Sequence, residues 1–253
     1  VAQSCDVYYY ELAKRIGIDR ISAMAMRFGL GALTNVDLPG ERRGLIPTRE
    51  WKLATRGVPW QQGETLVSAI GQGFTLATPL QLALMTARLV NGGKAVVPRL
   101  EVRDGAPEPV PDMAIDTRHL DAVRAAMSEV VNGERGTARK VQGGEEDVKI
   151  AGKTGTAQVR RISMADRLSG AYQEEKPWRF RDHALFVGFG PVEAPRYAVS
   201  VVVEHGGGGS SMAAPIAADV LREALRIDPP NLPGPTASSE DPEGSFDQKK
   251  RGG

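Results

Sequence analysis

Two short stretches of this 253-residue chain carry side chains able to handle protons and anions at close spacing. The first is Lys153-Thr154-Gly155-Thr156, which falls on a strand predicted over 149–159. Period-two alternation there turns Lys153, Gly155 and Ala157 to one side and Thr154, Thr156 and Gln158 to the other. A lysine beside two hydroxyls suits recognition of a carboxylate, and the backbone N–H groups of such a strand edge can stabilise an oxyanion. Gly155 removes a side chain in mid-strand, where a ligand or another backbone often comes close. The same residues also suit a surface strand with an ordinary lysine and a glycine bulge, and short motifs recur by chance. The second stretch is Ser4-Cys5-Asp6, a hydroxyl beside a carboxylate at a helix start. That pair can relay a proton; it is equally a helix N-cap with an acidic residue in the first turn.

The elements that must hold these groups follow from periodicity and punctuation. An apolar-rich helix enters at Tyr8, Tyr9, Tyr10 and Leu12 and stops at Gly17. A second short helix covers 19–28, with Ile21, Met24 and Phe28 at helical spacing. The stretch 29–63 reads as an irregular loop punctuated by Pro39-Gly40, Pro47 and Pro59, and a loop of that length inside a domain usually carries function. Thr78-Pro79 opens a helix with a capping hydroxyl and a proline at its first position, burying Leu80, Leu84, Ala87 and Val90 before Gly92-Gly93. Asp116 caps another over 117–131, with Leu120, Val123, Met127, Val130 and Val131 facing inward. Further strands are predicted over 184–190 and 197–204, joined by a hairpin-length connection and therefore antiparallel. A closing helix over 213–225 places Ile216, Val220, Leu221 and Leu225 against that sheet. Helices first and an antiparallel sheet after them give an α+β class. The domain spans 1–227, and 228–253, rich in Pro, Gly, Ser and charge, is expected to be a disordered tail.

Composition removes several function classes. Lys+Arg number 32 against 31 Asp+Glu, a net charge of +1 that provides no global field for nucleic acid or an anionic membrane surface. One cysteine, Cys5, excludes an intrachain disulfide and a multi-cysteine zinc cage. No cofactor or metal motif is found; the run Gly206-Gly207-Gly208-Gly209 lacks the Gly-Lys-Ser/Thr ending of a phosphate loop and reads as a flexible loop beside a cleft. His119, His183 and His205 are scattered, and His183 beside Asp182 reads as structural. Met24, Met26 and Met85 are expected in the core; Trp51, Trp60 and Trp178 read as packing anchors or a cleft rim. No apolar run approaches a bilayer crossing and no signal segment is seen at the start. The opening at Val1, already inside folded text, reads as a C-terminal fragment of something longer.

In combination and in this order, the motifs resemble the penicillin-binding transpeptidases, specifically their elongation-type class B branch, the penicillin-binding protein 2 group. The resemblance runs from Ser4 to about Leu225. It rests on Ser4-Cys5-Asp6 followed by Val7-Tyr8-Tyr9-Tyr10, on Phe28-Gly29, Asp37-Leu38-Pro39-Gly40-Glu41 and Pro47-Thr48-Arg49-Glu50-Trp51. It continues through Ile70-Gly71-Gln72-Gly73, Thr78-Pro79-Leu80-Gln81, Gly152-Lys153-Thr154-Gly155-Thr156-Ala157-Gln158, Arg181-Asp182-His183-Ala184 and the glycines 206–209. The family pattern is Ser-x-x-Lys, then Ser-x-Asn, then Lys-Thr/Ser-Gly. Asp6 stands where the general pattern has Asn; an ionised Asp only accepts hydrogen bonds and favours a nearby cation such as a lysine. None of the twelve serines is followed three positions on by lysine, so the nucleophile is expected upstream of Val1.

The resemblance implies the penicillin-binding transpeptidase fold and acyl transfer on peptidoglycan stem peptides, with acylation by β-lactams. It assigns Ser4, Asp6 and Lys153 to the catalytic proton network. Thr154, Gly155 and Thr156 line the substrate carboxylate and oxyanion site. It further implies a RodA-type membrane glycan polymerase as partner, a membrane anchor in the preceding part, and an inner-membrane protein facing the periplasm. For the isolated chain, neither turnover nor a covalent penicillin adduct is expected. The alternatives are a D,D-carboxypeptidase or β-lactamase relative, and a non-catalytic module that binds peptidoglycan peptides or partner proteins.

Overall fold

Helix α1 (Asp6–Arg27) is two helical runs joined at Gly17, whose φ of 73° and ψ of 164° leave the helical region. A left-handed φ is open to glycine without strain, which is why the chain turns there. The computed structural model describes residues 1–101, 109–144, 147–160, 168 and 177–229. The expected tail lies outside these from residue 230 onward.

The stretch 29–63 is not irregular throughout. Helix α2 (Arg49–Arg56) is capped by Thr48, whose hydroxyl accepts from the Trp51 N–H, and it ends on Gly57 in the left-handed region. Helix α3 (Gln62–Ala69) begins with the Glu64 side chain accepting from the Gln61 N–H at 2.7 Å. Each has only eight residues, too few for periodicity to register, and the flanking prolines mask the caps. The remainder of the stretch is pinned by side chains. Buried Gln81 donates to the carbonyls of Ala32 and Arg43 at 2.6 and 2.7 Å, and Ser22 donates to the Pro47 carbonyl at 2.7 Å. Backbone groups without a ladder are satisfied this way.

Helices α4 (Pro79–Val90) and α5 (Thr117–Asn132) start at the caps read from the sequence, Thr78 and Asp116. The sheet is antiparallel in the order β1 (Ala151–Ala157), β2 (His183–Gly190), β3 (Tyr197–Val203), with Lys153 opposite Val187 and Thr156 opposite Ala184. Alternation sends Ala184 and Phe186 into a core with α6 (Ala214–Ile227). Ala151 and Phe189 go to the other face, against Val90 and Met127 of α4 and α5. The α+β class is that of the sequence.

Three expectations about the core are corrected. On α6 the buried positions are Ala214, Ala217, Ala218, Leu221 and Leu225, while Ile216 and Val220 are exposed. Small alanines let the helix lie close on the sheet, which rotates the larger side chains outward. Met24 and Met26 are exposed, since α1 buries Ala13, Ile18 and Ser22. Val123 is likewise exposed. Among the described residues, no helix is long and apolar enough to cross a membrane.

Candidate active site

Strand β1 is one of the two edges of the described sheet. In an antiparallel pair the N–H and C=O of one residue point to the same side, and successive residues alternate. The Thr154 carbonyl accepts from Lys153 Nζ and the Thr156 carbonyl from Gln72 Nε2, both at 2.7 Å and both beyond the edge. The main-chain groups of Thr154 and Thr156 therefore face outward, and those of Gly155 face Leu185. The Thr156 N–H thus leaves β1 on its outer side, at an exposed residue.

Lys153 Nζ also donates to Ser4 Oγ at 2.5 Å, joining residues 149 apart in sequence, and lies 3.4 Å from Thr154 Oγ1. Ser4 does not cap α1. Cys5 occupies that position without a side-chain bond, and Ser4 sits at a φ of 49°. A non-glycine residue in this region is uncommon and tends to persist where the surroundings hold it. Here the surroundings are the lysine on Ser4 Oγ and the Val1 carbonyl accepting from its N–H at 3.2 Å. Burial favours the neutral amine and lowers the Lys153 pKa below the ordinary lysine value, and the charge of Asp6 opposes this in part. Thr154 Oγ1 is 3.0 Å from Thr137 Oγ1, and the Thr137 N–H donates to the Ala2 carbonyl at 3.2 Å, tying the first residues to the loop after α5.

Ser4, Asp6, Lys153 and Thr154 thus converge, with Thr156 exposed at the outer end of the same edge. The tight packing here falls on Gly209, which lies over Gly155: a Cβ at Gly209 would stand 2.3 Å from the Gly155 carbonyl oxygen, whereas a Cβ at Gly155 would meet only the Leu185 Cβ at 3.3 Å. The four-glycine run is therefore held at its end, where it enters a π-helical turn over Gly209–Ala213, and the Gly207 N–H donates to the Asp182 carbonyl at 2.8 Å. The His183 Nδ1 accepts from the His205 N–H at 2.9 Å, and the His205 ring packs at 4.5 Å and a 60° tilt against exposed Trp178.

Two residues at this edge carry no role in the sequence reading. Thr137 follows Gly136, where a Cβ would stand 2.3 Å from the Val130 carbonyl oxygen, so that glycine sets the close turn. Gln72 lies between Gly71 and Gly73, both left-handed, in the Ile70-Gly71-Gln72-Gly73 block of the resemblance, which gave it no role. A cavity of about 270 Å³ lies apart from these groups, between α1 and α3. Its rim cations Lys14 and Arg49 are paired with Glu11 and Asp19.

The family model described as penicillin binding protein transpeptidase domain matches residues 1–222. The chain belongs to the penicillin-binding protein transpeptidase family. It is 41% identical over 228 residues to the peptidoglycan D,D-transpeptidase MrdA of Acinetobacter baumannii, covering 85% of this chain and 33% of that protein. It is 39% identical over 230 residues to the MrdA of Haemophilus influenzae, covering 87% and 35%. Among solved structures it resembles Pseudomonas aeruginosa PBP2 in complex with WCK 5153, at 44% identity and a TM-score of 0.76, over 89% of this chain and 48% of that one. It also resembles Helicobacter pylori PBP2 in complex with MreC, at 33% identity and a TM-score of 0.77, over 90% and 39%. The chain spans about a third of the length of the curated transpeptidases it matches. The penicillin-binding protein 2 group indicated by the motifs is thus the group found, and the fold is the transpeptidase fold.

Proposed function

We propose that this chain forms two walls of the active site of a peptidoglycan D,D-transpeptidase of the elongation type, completed by a Ser-x-x-Lys segment that precedes it. The observation that carries the reading is the Lys153 Nζ to Ser4 Oγ hydrogen bond at 2.5 Å. It brings two distant motifs into one proton network, beside an outward-facing N–H.

In this reading the upstream serine oxygen attacks the penultimate D-Ala carbonyl carbon, and the negative charge developing on the carbonyl oxygen is received by the Thr156 N–H. Removing one such donor typically costs roughly 2.7–4 kcal/mol of barrier stabilisation. The proton lost by the nucleophile is passed through the network to Ser4 and given to the amine of the departing D-Ala as the C–N bond breaks. An amine from a second stem peptide then attacks the ester carbon, restoring the serine hydroxyl and forming the cross-link. Lys153, with its pKa lowered by burial, is poised both to hold a proton near Ser4 and to give it up. Its positive charge and the hydroxyls of Thr154 and Thr156 receive the terminal carboxylate. β-Lactams acylate the same serine. Assembly with a RodA-type glycan polymerase, and anchorage in the inner membrane facing the periplasm, belong to this reading by family membership.

The test is labelling by a fluorescent penicillin. The full-length protein should be acylated at an upstream serine, whereas the 253-residue chain alone should not. Labelling of the isolated chain at one of its own serines would reject the split of the site. Product analysis with an added amine acceptor separates cross-linking from carboxypeptidase release.

A further inference from the structure

Gln72, part of the Ile70-Gly71-Gln72-Gly73 block but given no role by it, is brought by the fold to the Thr156 end of the β1 edge. Its placement is built rather than incidental. The Gln72 N–H donates to the Val67 carbonyl at 3.1 Å and the Gly71 N–H to the Ser68 carbonyl at 3.0 Å, so the residue hangs from the last turn of α3. Gly71 and Gly73, at φ of 76° and 77°, make the two left-handed steps that turn its carboxamide toward the sheet. The other end of α3 is fixed as well, because Glu64 bridges the Gln61 N–H and the buried Lys52 ammonium at 2.6 Å. A rigid arm therefore ends in one amide donor, and that donor meets the Thr156 carbonyl at 2.7 Å.

The consequence follows from strand geometry. The Thr156 N–H and C=O leave the strand on the same side, so the carbonyl capped by Gln72 stands next to the N–H that the proposed function uses for the oxyanion. Without that donor the strand end would be free to twist, and the direction of the Thr156 N–H would no longer be fixed. We propose that Gln72 is a positioning residue for acyl transfer: its carboxamide caps the Thr156 carbonyl, fixes the strand end, and keeps the Thr156 N–H aimed at the reacting carbonyl. The proposal rests on the transpeptidase reading and adds to it a residue from a different element.

The experiment uses the full-length protein and a fluorescent penicillin. Two quantities are measured: the second-order acylation rate, and the carbonyl stretch of the acyl-enzyme ester by isotope-edited infrared difference spectroscopy. Gln72→Ala removes the donor and should slow acylation roughly three- to tenfold, the net worth of one hydrogen bond. Gln72→Glu keeps the shape but sets a carboxylate against the carbonyl; it should slow acylation further. Both should move the ester stretch to higher frequency, as expected of a weakened oxyanion contact, with Tm unchanged. Rates and stretch equal to the parent's would overturn the proposal. So would faster acylation, which would make Gln72 a plug on the edge, or a slower rate with an unmoved stretch and a lowered Tm, which would make it merely structural. An unsubstituted protein that takes no label would reject the transpeptidase reading itself, and this inference with it.

Discussion

Lys52 and Lys153 are both withdrawn from solvent, and the fold treats them in opposite ways. Lys52, 4% exposed, is saturated by Glu64 at 2.6 Å and the Pro59 carbonyl at 2.8 Å, with the Trp60 ring 6.0 Å away. Burial pushes the Glu64 carboxyl up, but hydrogen bonds from Lys52 and the Gln61 N–H, with the Lys52 charge, bring it below the usual range. That ammonium is locked. Lys153 contacts a hydroxyl and a carbonyl, and Asp6 acts on it only as a nearby charge, so burial prevails and its proton is held loosely. The lysine that staples a loop has its charge matched, whereas the lysine to which the proposed function gives proton handling is left under-compensated beside a hydroxyl.

The contrast can be broken first at Lys153. Lys153→Met should lower acylation of the full-length protein by about 10³-fold while leaving the unfolding midpoint nearly unchanged, because proton transfer and charge stabilisation are both lost. Stopped-flow penicillin labelling and urea unfolding measure the two halves. Ser4→Ala comes next, at about 10²-fold on acylation, the lower end for loss of a proton relay. The pH profile sharpens the same point. A lowered lysine pKa means that the positive charge is lost at lower pH than for an exposed lysine. The alkaline limb of acylation should therefore fall early, and Lys153→Arg, always charged, should abolish that limb at reduced rate.

At Lys52 the expected readout is reversed. Lys52→Met should cost about 2 kcal/mol of stability by stranding Glu64 without its cation, a figure reduced because Glu64 is one-quarter exposed. Lys52→Met with Glu64→Leu should recover most of it, and neither variant should shift the pH profile. The same double replacement at Ser4 and Lys153 should rescue nothing. The smallest effect is at the cap of α2: Thr48→Ala should cost about 1 kcal/mol by thermal unfolding, with acylation unaffected.

Much of this was legible from residue order alone. Thr78-Pro79, Asp116 and Gly17 are local signals, and they mark the helix ends and the kink where the structure has them. The three strands follow from alternation and from the short connection before Tyr197. Missed elements were short or asymmetric: α2 and α3 have too few turns for a periodic signal. Ile216 and Val220 face solvent because alanines, not the largest residues, make the contact with the sheet.

For the site, the sequence by itself determined which chemistry was on hand: a lysine and two threonines alternating about a glycine, and a serine two residues from an aspartate. Those are properties of residue type and strand period. Only the tertiary structure decided that Ser4 Oγ receives Lys153 instead of capping α1, that the Thr154 and Thr156 peptides face outward, and that Gln72 and Thr137 join them. Side-chain character is fixed by the local chain, but which groups meet, and how strongly burial acts on a charge between them, depends on segments far apart in sequence being packed into one place.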